Sequence, residues 1–379
     1  MYENKIIKQI HAATDIVSLI SETVQLKKDG DLLFGICPFH KEKEASFTVD
    51  AKNKRYHCYG CGAGGNVYSF VMQRDNCSFE EAVIKLAVRA GISQPQILQD
   101  LEFEKKKKRL LEMNALAFAH YYQKGLESEK AKDYLKNTRR LTEETIQNFG
   151  LGVSGSFGQE LYQTLLSCGY TKEEMIEGGL IGHKEDCYDK FWDRIMFPIF
   201  DKGANIVGFG GRIMGEGKPK YLNSPETIVF DKSHELYGLF AAKNQNKSFV
   251  LCEGYLDVIS MHQAGFKTAV ASLGTSLTVS QAHMIAEYTN TVFIAYDSDE
   301  PGIKATSRAI PMLEKAGLRV FVISTAPYKD VDDLLKADDE NSSEMKKRFK
   351  EAVPGKTFLA RQLDKKSDEF YNKVVELIV

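Results

Sequence analysis

At 379 residues the chain exceeds what one ordinary hydrophobic core organises, so two or three domains are expected. A composition of 43% apolar and 27% charged residues is that of a folded globular protein and excludes a wholly disordered one. A formal net charge of −2 excludes a globally basic nucleic-acid binder, so any such role must rest on local patches. No apolar run approaches the roughly 18 residues of a membrane helix. The opening residues mix charges with apolar side chains at helical spacing, which a secretory leader does not do. A cytoplasmic protein without membrane contact is expected. The 7 cysteines, an odd number, point to thiols and metal rather than disulfides.

Residues 1–100 read as a small α+β domain. Ile6, Ile7, Ile10, Ala13, Ile16, Val17 and Ile20 have helical spacing. Strands are expected at Leu32–Ile36, Ser46–Val49 and Arg55–Cys58, followed beyond Gly65 by two helices. The second helix opens on Ser78-Phe-Glu-Glu81, a capping box. So small a core is helped by a metal. Cys37-Pro-Phe-His40 and Cys58-Tyr-Gly-Cys61 supply one: two residues between ligands let a tight turn present both donors to a tetrahedral Zn²⁺. Two such pairs at hairpin distance argue against ordinary buried cysteines. His57 competes with Cys58, but neighbouring strand residues face opposite ways and Cys58 pairs with Cys61, so His57 belongs on the surface. Four ligands leave no open position, which makes one structural zinc per chain.

Residues 101–112 form a charged stretch containing Lys105–Arg109, and a solvated helical linker is favoured over a DNA-binding arm. Residues 113–246 are mixed, with helices expected over 113–136 and 142–149 and a glycine-rich extended region from Phe191 to Arg212. In 247–340 the rhythm clears. Strands Phe249–Cys252, Thr268–Ser272, Thr291–Tyr296 and Val320–Ser324 alternate with helices near 255–264, 279–289 and 302–316, the pattern of a parallel sheet flanked by helices. Residues 341–379 begin a further helical segment, and Phe370–Val379 is helix-like. Gly208-Phe-Gly-Gly211 lacks dinucleotide-site spacing, and Gly355-Lys-Thr357 lacks the first glycine of a P-loop, with Lys350 in its place.

Acidic residues gather where the parallel strands end: Glu253 and Asp257 after the first, Asp297 and Asp299 after the third, Asp330 and Asp332 after the fourth. Ligands of an open α/β sheet bind outside the carboxyl ends of its strands. So many carboxylates repel one another unless cations bind them, and Mg²⁺ or Mn²⁺ suits an all-oxygen donor set. An i, i+2 pair at a strand end puts both side chains on one face. Each pair alone would read as a helix N-cap or a solvated turn.

CPFHKEKEASFTV (37–49) and RYHCYGCGAGGNVYSFVM (55–72) closely resemble the zinc-binding domain of bacterial DnaG-type primases. EGYLD (253–257), DSD (297–299) and DVDD (330–333) resemble the Toprim domain shared by primases, type IA and II topoisomerases and some nucleases. Gly210–Thr227, Arg194–Ile199 and Glu235–Gly238 match the primase catalytic core. The resemblance, over roughly residues 1–350, implies an α+β zinc-ribbon domain, then a mixed α/β catalytic core containing a Toprim parallel sheet. It implies a DNA primase that joins ribonucleotides into short RNA primers on single-stranded DNA by metal-assisted nucleotidyl transfer. Glu253 would be the general acid/base and would act with Asp297 and Asp299 in catalysis. Glu253, Asp297, Asp299, Asp330 and Asp332 would hold the metal, with Asp257 in support. Arg212, Lys220 and Lys232, and more weakly Arg139 and Lys190, would contact phosphates and template. Arg55 and Tyr56, with Phe47, would serve the strand beside the zinc. Ser298 stands where the family has Gly and Pro301 where it has Ala, and neither removes a carboxylate. Arg140 replaces a common Gly and Trp192 a common Arg, which puts contacts from those positions in question. Expected partners are single-stranded DNA, ribonucleoside triphosphates, the replicative helicase and single-strand-binding protein, the chain itself being monomeric. The C-terminal helicase-docking domain usual in such primases is not expected within this chain. The rivals are a topoisomerase or nuclease, which would need a cleaving domain, and a non-catalytic zinc-ribbon single-strand binder, which would not need all the core carboxylates.

Overall fold

The computed structural model describes residues 5–92, 94–183, 186–245, 247–274, 276–338 and 342–362. The helix expected over Phe370–Val379 lies outside the described residues. The chain divides into two compact units, Met1–Arg109 and Leu110–Val379.

In the first unit an antiparallel sheet runs in chain order through β1 (Lys27–Asp29), β2 (Leu32–Gly35), β3 (Phe47–Asp50), β4 (Arg55–Cys58) and β5 (Gly64–Gly65). Along β4 burial alternates: Arg55 and His57 are exposed, Tyr56 and Cys58 buried. That period of two turns His57 away from the cysteine pair. Helices α1 (Lys5–Ala13), α2 (Ile16–Ser21), α3 (Val67–Asp75) and α4 (Phe79–Arg89) complete the unit. The Ser78–Glu81 capping box opens α4 as the sequence requires. The core is aromatic: Phe47 stacks on Tyr56 with centroids 5.3 Å apart, and Phe70 meets Tyr56 edge-on at 5.5 Å. Helix α5 (Gln94–Glu127) takes in the charged stretch 101–112, and the border between the units falls inside it. No helix among the described residues is long and apolar enough to cross a membrane.

The helix expected over 113–136 is interrupted in the second unit. Ser128 caps a new start, α6 (Glu129–Asp133), and a π-helical turn at Tyr134–Thr138 follows. Helix α7 (Glu143–Asn148) leads into the antiparallel sheet of β6 (Gly152–Val153), β9 (Arg194–Phe200), β10 (Ile206–Ile213) and β11 (Tyr221–Asn223), ordered β11-β10-β9-β6. Between β6 and β9 lie α8 (Glu160–Ser167), α9 (Lys172–Glu177) and a hairpin of β7 (Ile181–His183) and β8 (Cys187–Asp189).

After α10 (Leu239–Ala242) comes a second sheet, β13-β12-β14-β15-β16: β12 (Phe249–Cys252), β13 (Ala269–Ala271), β14 (Thr291–Ala295) and β15 (Arg319–Val322) are parallel, and β16 (Val353–Pro354) is antiparallel. Between its strands run α11 (Tyr255–Gln263), α12 (Val279–Ala286) and α13 (Glu300–Lys315); α14 (Val331–Ala337) and α15 (Ser343–Lys350) separate β15 from β16, and α16 (Gly355–Gln362) follows. The strand order reverses direction at β12, whose neighbours β13 and β14 lie on either side. The carboxyl ends of β12 and β14 therefore flank a switch point, where such sheets bind ligands.

Candidate active site and zinc centre

Cys37, His40, Cys58 and Cys61 offer ligand atoms that all lie within 4.8 Å of one another. Cys37 Sγ is 3.8 Å from Cys61 Sγ, and Cys58 Sγ is 3.8 Å from His40 Nδ1. Tetrahedral zinc with bonds of about 2.3 Å to sulfur needs sulfurs about 3.8 Å apart, so the four side chains fit that ion. His40 Nε2 meets Glu42 Oε2 at 3.2 Å, which turns Nδ1 toward the sulfurs. Glu42 is fixed in turn, accepting from the Cys37 amide at 2.7 Å and from the Ser46 hydroxyl. Burial pushes the Cys37 thiol up to about 12. At Cys58 burial also acts upward, but the Ser46 hydroxyl and the Cys61 and Gly60 amides outweigh it and bring the thiol to about 6.

The second site is a cleft of about 530 Å³ at the switch point. Glu253 follows β12, Asp297 follows β14, and Asp330 stands at the start of α14; all three line the cleft with Asp257 and Asp332. The Asp297 amide donates to Glu253 Oε2 at 3.2 Å, which brings the two turns together. Burial, then the charges of Glu253 and Asp330, push the Asp297 carboxyl up to about 6, against the pull of Lys329 with its Nζ 3.7 Å away. Burial and the neighbouring Asp333 and Asp332 also raise Asp330, although the Asp333 amide opposes them. This is an all-oxygen acidic group whose members raise one another's carboxyls, the donor chemistry that a hard divalent cation completes.

Asp299 and Asp330 combine two roles. Asp299 accepts from the Gly302 amide at 3.0 Å as N-cap of α13, and Asp330 from the Asp333 amide at 2.8 Å as N-cap of α14. Asp299 does not line the cleft, unlike the other five carboxylates named from the sequence. β14 ends at Ala295, so Asp297 and Asp299 lie in a turn and the strand-face spacing does not apply to them. Asp257 is buried; it accepts from the Gly254 amide at 3.0 Å and from the Asp332 amide at 3.3 Å, tying β12's exit to α14.

Asp332 departs furthest from its expected role. It is 4% exposed, pairs with Arg139 at 3.1 Å and Lys336 at 2.6 Å, and accepts from the Ser260 hydroxyl at 2.6 Å. Its charge is already balanced, so it reads as the anchor of Arg139 more than as a metal ligand. Asp332→Asn leaves two cations facing a neutral amide, and breaking a buried pair costs about 3 kcal/mol. A melting temperature roughly 6–12 °C lower is expected for this unit, read by differential scanning calorimetry; an unchanged melt with weakened metal binding would return Asp332 to the ligands.

Arg139, Arg212 and Lys220 line the same cleft. The Tyr134 hydroxyl, in the π-helical turn, accepts from Arg212 Nε at 2.6 Å and Arg139 Nε at 2.9 Å, so one ring oxygen gathers two guanidinium groups. Arg212 also lies over the Tyr221 ring, 5.4 Å from its centroid. Burial lowers the Lys220 ammonium, and its neighbours Arg212, Lys329 and Arg139 lower it further. The Lys220 loop hangs on Arg194, a fully buried guanidinium that donates to the carbonyls of Gly211 at 3.1 Å and Pro219 at 3.0 Å. Tyr255 floors the cleft, stacked on Phe197 at 5.1 Å and donating to Asn223 Oδ1 at 2.9 Å. Only glycine fits beside it at position 210, where a Cβ would come within 2.6 Å of the ring.

Lys190 and Lys232 do not line this cleft. In the first unit Arg55 is exposed, but Tyr56 is 3% exposed and donates to Gln73 Oε1 at 2.9 Å. With Phe47 it is core, so neither offers a face to a nucleic-acid base: the inward side of β4 is taken by packing. Arg140 adopts a left-handed φ of 56° and donates to the Lys336 carbonyl at 2.8 Å. Sequence reasoning passed over Lys329, Tyr134 and Glu42. Lys329 could have been suspected from its place beside Asp330; the other two carry no local signal.

Three family descriptions match the chain in order: CHC2 zinc finger over 2–102, DNA primase catalytic core N-terminal domain over 119–243, and Toprim-like over 250–335. The DNA primase of Clostridium acetobutylicum is 41% identical over 343 residues, 89% of this chain and 57% of that protein. The chain spans little more than half the length of that relative. The crystal structure of the Aquifex aeolicus primase zinc-binding and RNA polymerase domains is 30% identical, with a TM-score of 0.64 over 99% of this chain and 92% of that one. A DnaG primase catalytic domain bound to single-stranded DNA is also 30% identical, with a TM-score of 0.63 over 73% of this chain and 91% of that one.

Proposed function

Because the chain belongs to the bacterial DnaG-type primase family, with its zinc ribbon, primase catalytic core and Toprim domain, we propose that it synthesises short RNA primers on single-stranded DNA. The observation that carries this is one cleft lined both by the carboxylates Glu253, Asp297 and Asp330 and by the cations Arg139, Arg212 and Lys220.

The carboxylates Glu253, Asp297 and Asp330 would hold Mg²⁺ or Mn²⁺, with Asp299 one turn away as the N-cap of α13. When bound, the cation would neutralise phosphate charge and assist attack of a ribose 3′-hydroxyl on an α-phosphate, the α–β phosphoanhydride bond breaking and pyrophosphate leaving. Arg139, Arg212 and Lys220 take the charge of the triphosphate, and their preset positions lower the ordering cost of bringing two nucleotides together. Glu253, an exposed residue of the cleft lining, would receive the proton of the attacking hydroxyl. The zinc unit presents template, with Arg55 on its open face. Lys190 and Lys232 hold template backbone away from the cleft. Partners in the cell would be the replicative helicase and single-strand-binding protein.

The test is incorporation of labelled ribonucleotides on single-stranded DNA. Short RNA products that require a divalent cation support the proposal. Nicking of supercoiled DNA without incorporation would favour a topoisomerase or nuclease, and strand binding without either activity a non-catalytic protein.

A further inference from the structure

Arg139 and Arg212 reach the cleft from separate elements, the end of the π-helical turn and β10. Two guanidinium ions repel each other, so holding them side by side needs an acceptor between them. A phenol oxygen can accept two N–H groups. At Tyr134 both come from guanidinium Nε atoms, at 2.6 and 2.9 Å.

The local backbone explains how Arg139 arrives there. On an α-helix the neighbours of a side chain stand three or four positions away, and a residue five away points elsewhere. Between 134 and 139 the helix widens: the Arg139 amide donates to the Tyr134 carbonyl at 2.9 Å, five residues back. That closure carries Arg139 over Tyr134, its guanidinium carbon 5.3 Å from the ring centroid. The guanidinium carbon of Arg212 lies 5.8 Å from the centroid of the same ring.

Each arginine is held at a second nitrogen. Arg139 Nη1 donates to Asp332 at 3.1 Å, and Arg212 Nη1 to the Tyr221 hydroxyl at 3.3 Å. Neither Nη2 has a partner among the described residues. Arg212 makes no ion pair among them either, and Asp332 is shared between Arg139 and Lys336. Both guanidiniums are thus fixed in place with donors free and positive charge uncompensated. Tyr134 itself does not line the cleft.

We infer that Tyr134 is a positioning residue for nucleotide capture: its hydroxyl sets Arg139 and Arg212 as one anion-binding fork for the triphosphate of a ribonucleotide. Two guanidiniums on one oxygen stand close together. That suits the phosphates of a triphosphate, which are joined through single bridging oxygens; successive phosphates of a nucleic-acid strand are separated by a whole sugar. The identity of the substrate rests on the primase proposal.

Tyr134→Phe removes the hydroxyl and keeps the ring. In primer synthesis by the full chain with Mg²⁺, its KM for ribonucleoside triphosphates should rise about tenfold, the loss of a hydrogen bond to a charged group. Its kcat should hold, because the fork grips the triphosphate equally before and during reaction. Affinity for single-stranded DNA, read by anisotropy without nucleotide, should not change. Inorganic tripolyphosphate, titrated into the metal-free chain by calorimetry, should bind the variant more weakly by the same factor. An unaltered KM with unaltered tripolyphosphate affinity overturns the inference. Equal losses for template and triphosphate, or a lower kcat with a lowered melt, make the hydroxyl a support of the fold and overturn it too. A parent chain that makes no primers sinks the primase proposal, while the tripolyphosphate titration still decides the role of Tyr134.

Discussion

Asp297→Ala should cut primer synthesis on the order of 10³-fold or more, about 4 kcal/mol of transition-state stabilisation, with the protein still folded. Asp297 is linked to two more of the cleft carboxylates: its amide holds Glu253, and its charge acts against both Glu253 and Asp330. Its removal takes a ligand from the centre of the set. Unfolding is not the expected cause of the loss. A carboxyl raised to about 6 binds its proton more tightly in the folded state than in the unfolded one. Its ionisation therefore lowers stability as pH rises through 6, and deleting it removes that cost at neutral pH. The metal-free variant should melt no lower than its parent, and added Mg²⁺ should raise its melting temperature less. Rate and melt measured together decide the matter. Full activity would remove Asp297 from the chemistry, and a collapsed melt would make its role structural.

Cys58→Ser should leave the chain without its zinc and the first unit unfolded. Cys58 is buried, sits in register opposite Phe47 on β3, and its sulfur bonds to Ser46 as well as facing His40. Structural zinc contributes about 10–16 kcal/mol in small domains at neutral pH, more than a unit of this size can lose and stay folded. Zinc content should fall from one per chain to near none. Far-UV circular dichroism should lose the part owed to Met1–Arg109, while the second unit, with a core of its own, keeps its cooperative melt. Chelation of the parent should do the same reversibly. A variant with unchanged zinc and melt would exclude this cluster as the metal centre.

Much of this was readable without coordinates. Strands Phe249–Cys252 and Arg55–Cys58 occur over the expected residues because each is a short apolar or alternating run between clear breaks. The zinc ligands were legible for a related reason: their spacing within each pair is short enough for local geometry to dictate it. Helix α5 was harder, because its charged stretch lacks a clean apolar stripe, and the break at Ser128 rests on one hydroxyl accepting from the Ala131 amide.

Side-chain roles were less legible than elements. The motif DVDD announces carboxylates, but only the folded chain shows that Asp330 faces the cleft while Asp332 is occupied by Arg139, 193 positions away. Tyr56 and Phe47 look equally fit for stacking or packing. Lys190 and Trp192 could be read only as a matched and a departing position.

What the sequence determined by itself was chemistry fixed by near neighbours: the zinc knuckles, the strand–helix rhythm, and the placing of acids after the parallel strands. Spacing and period act over a few residues, and a few residues suffice to write them. What the tertiary structure alone decided was which acid is taken up by buried cations, which ring is left in water, and which arginines share the Tyr134 hydroxyl. Those outcomes depend on burial and on partners brought from distant segments, and no local pattern records who will be adjacent once the chain has closed.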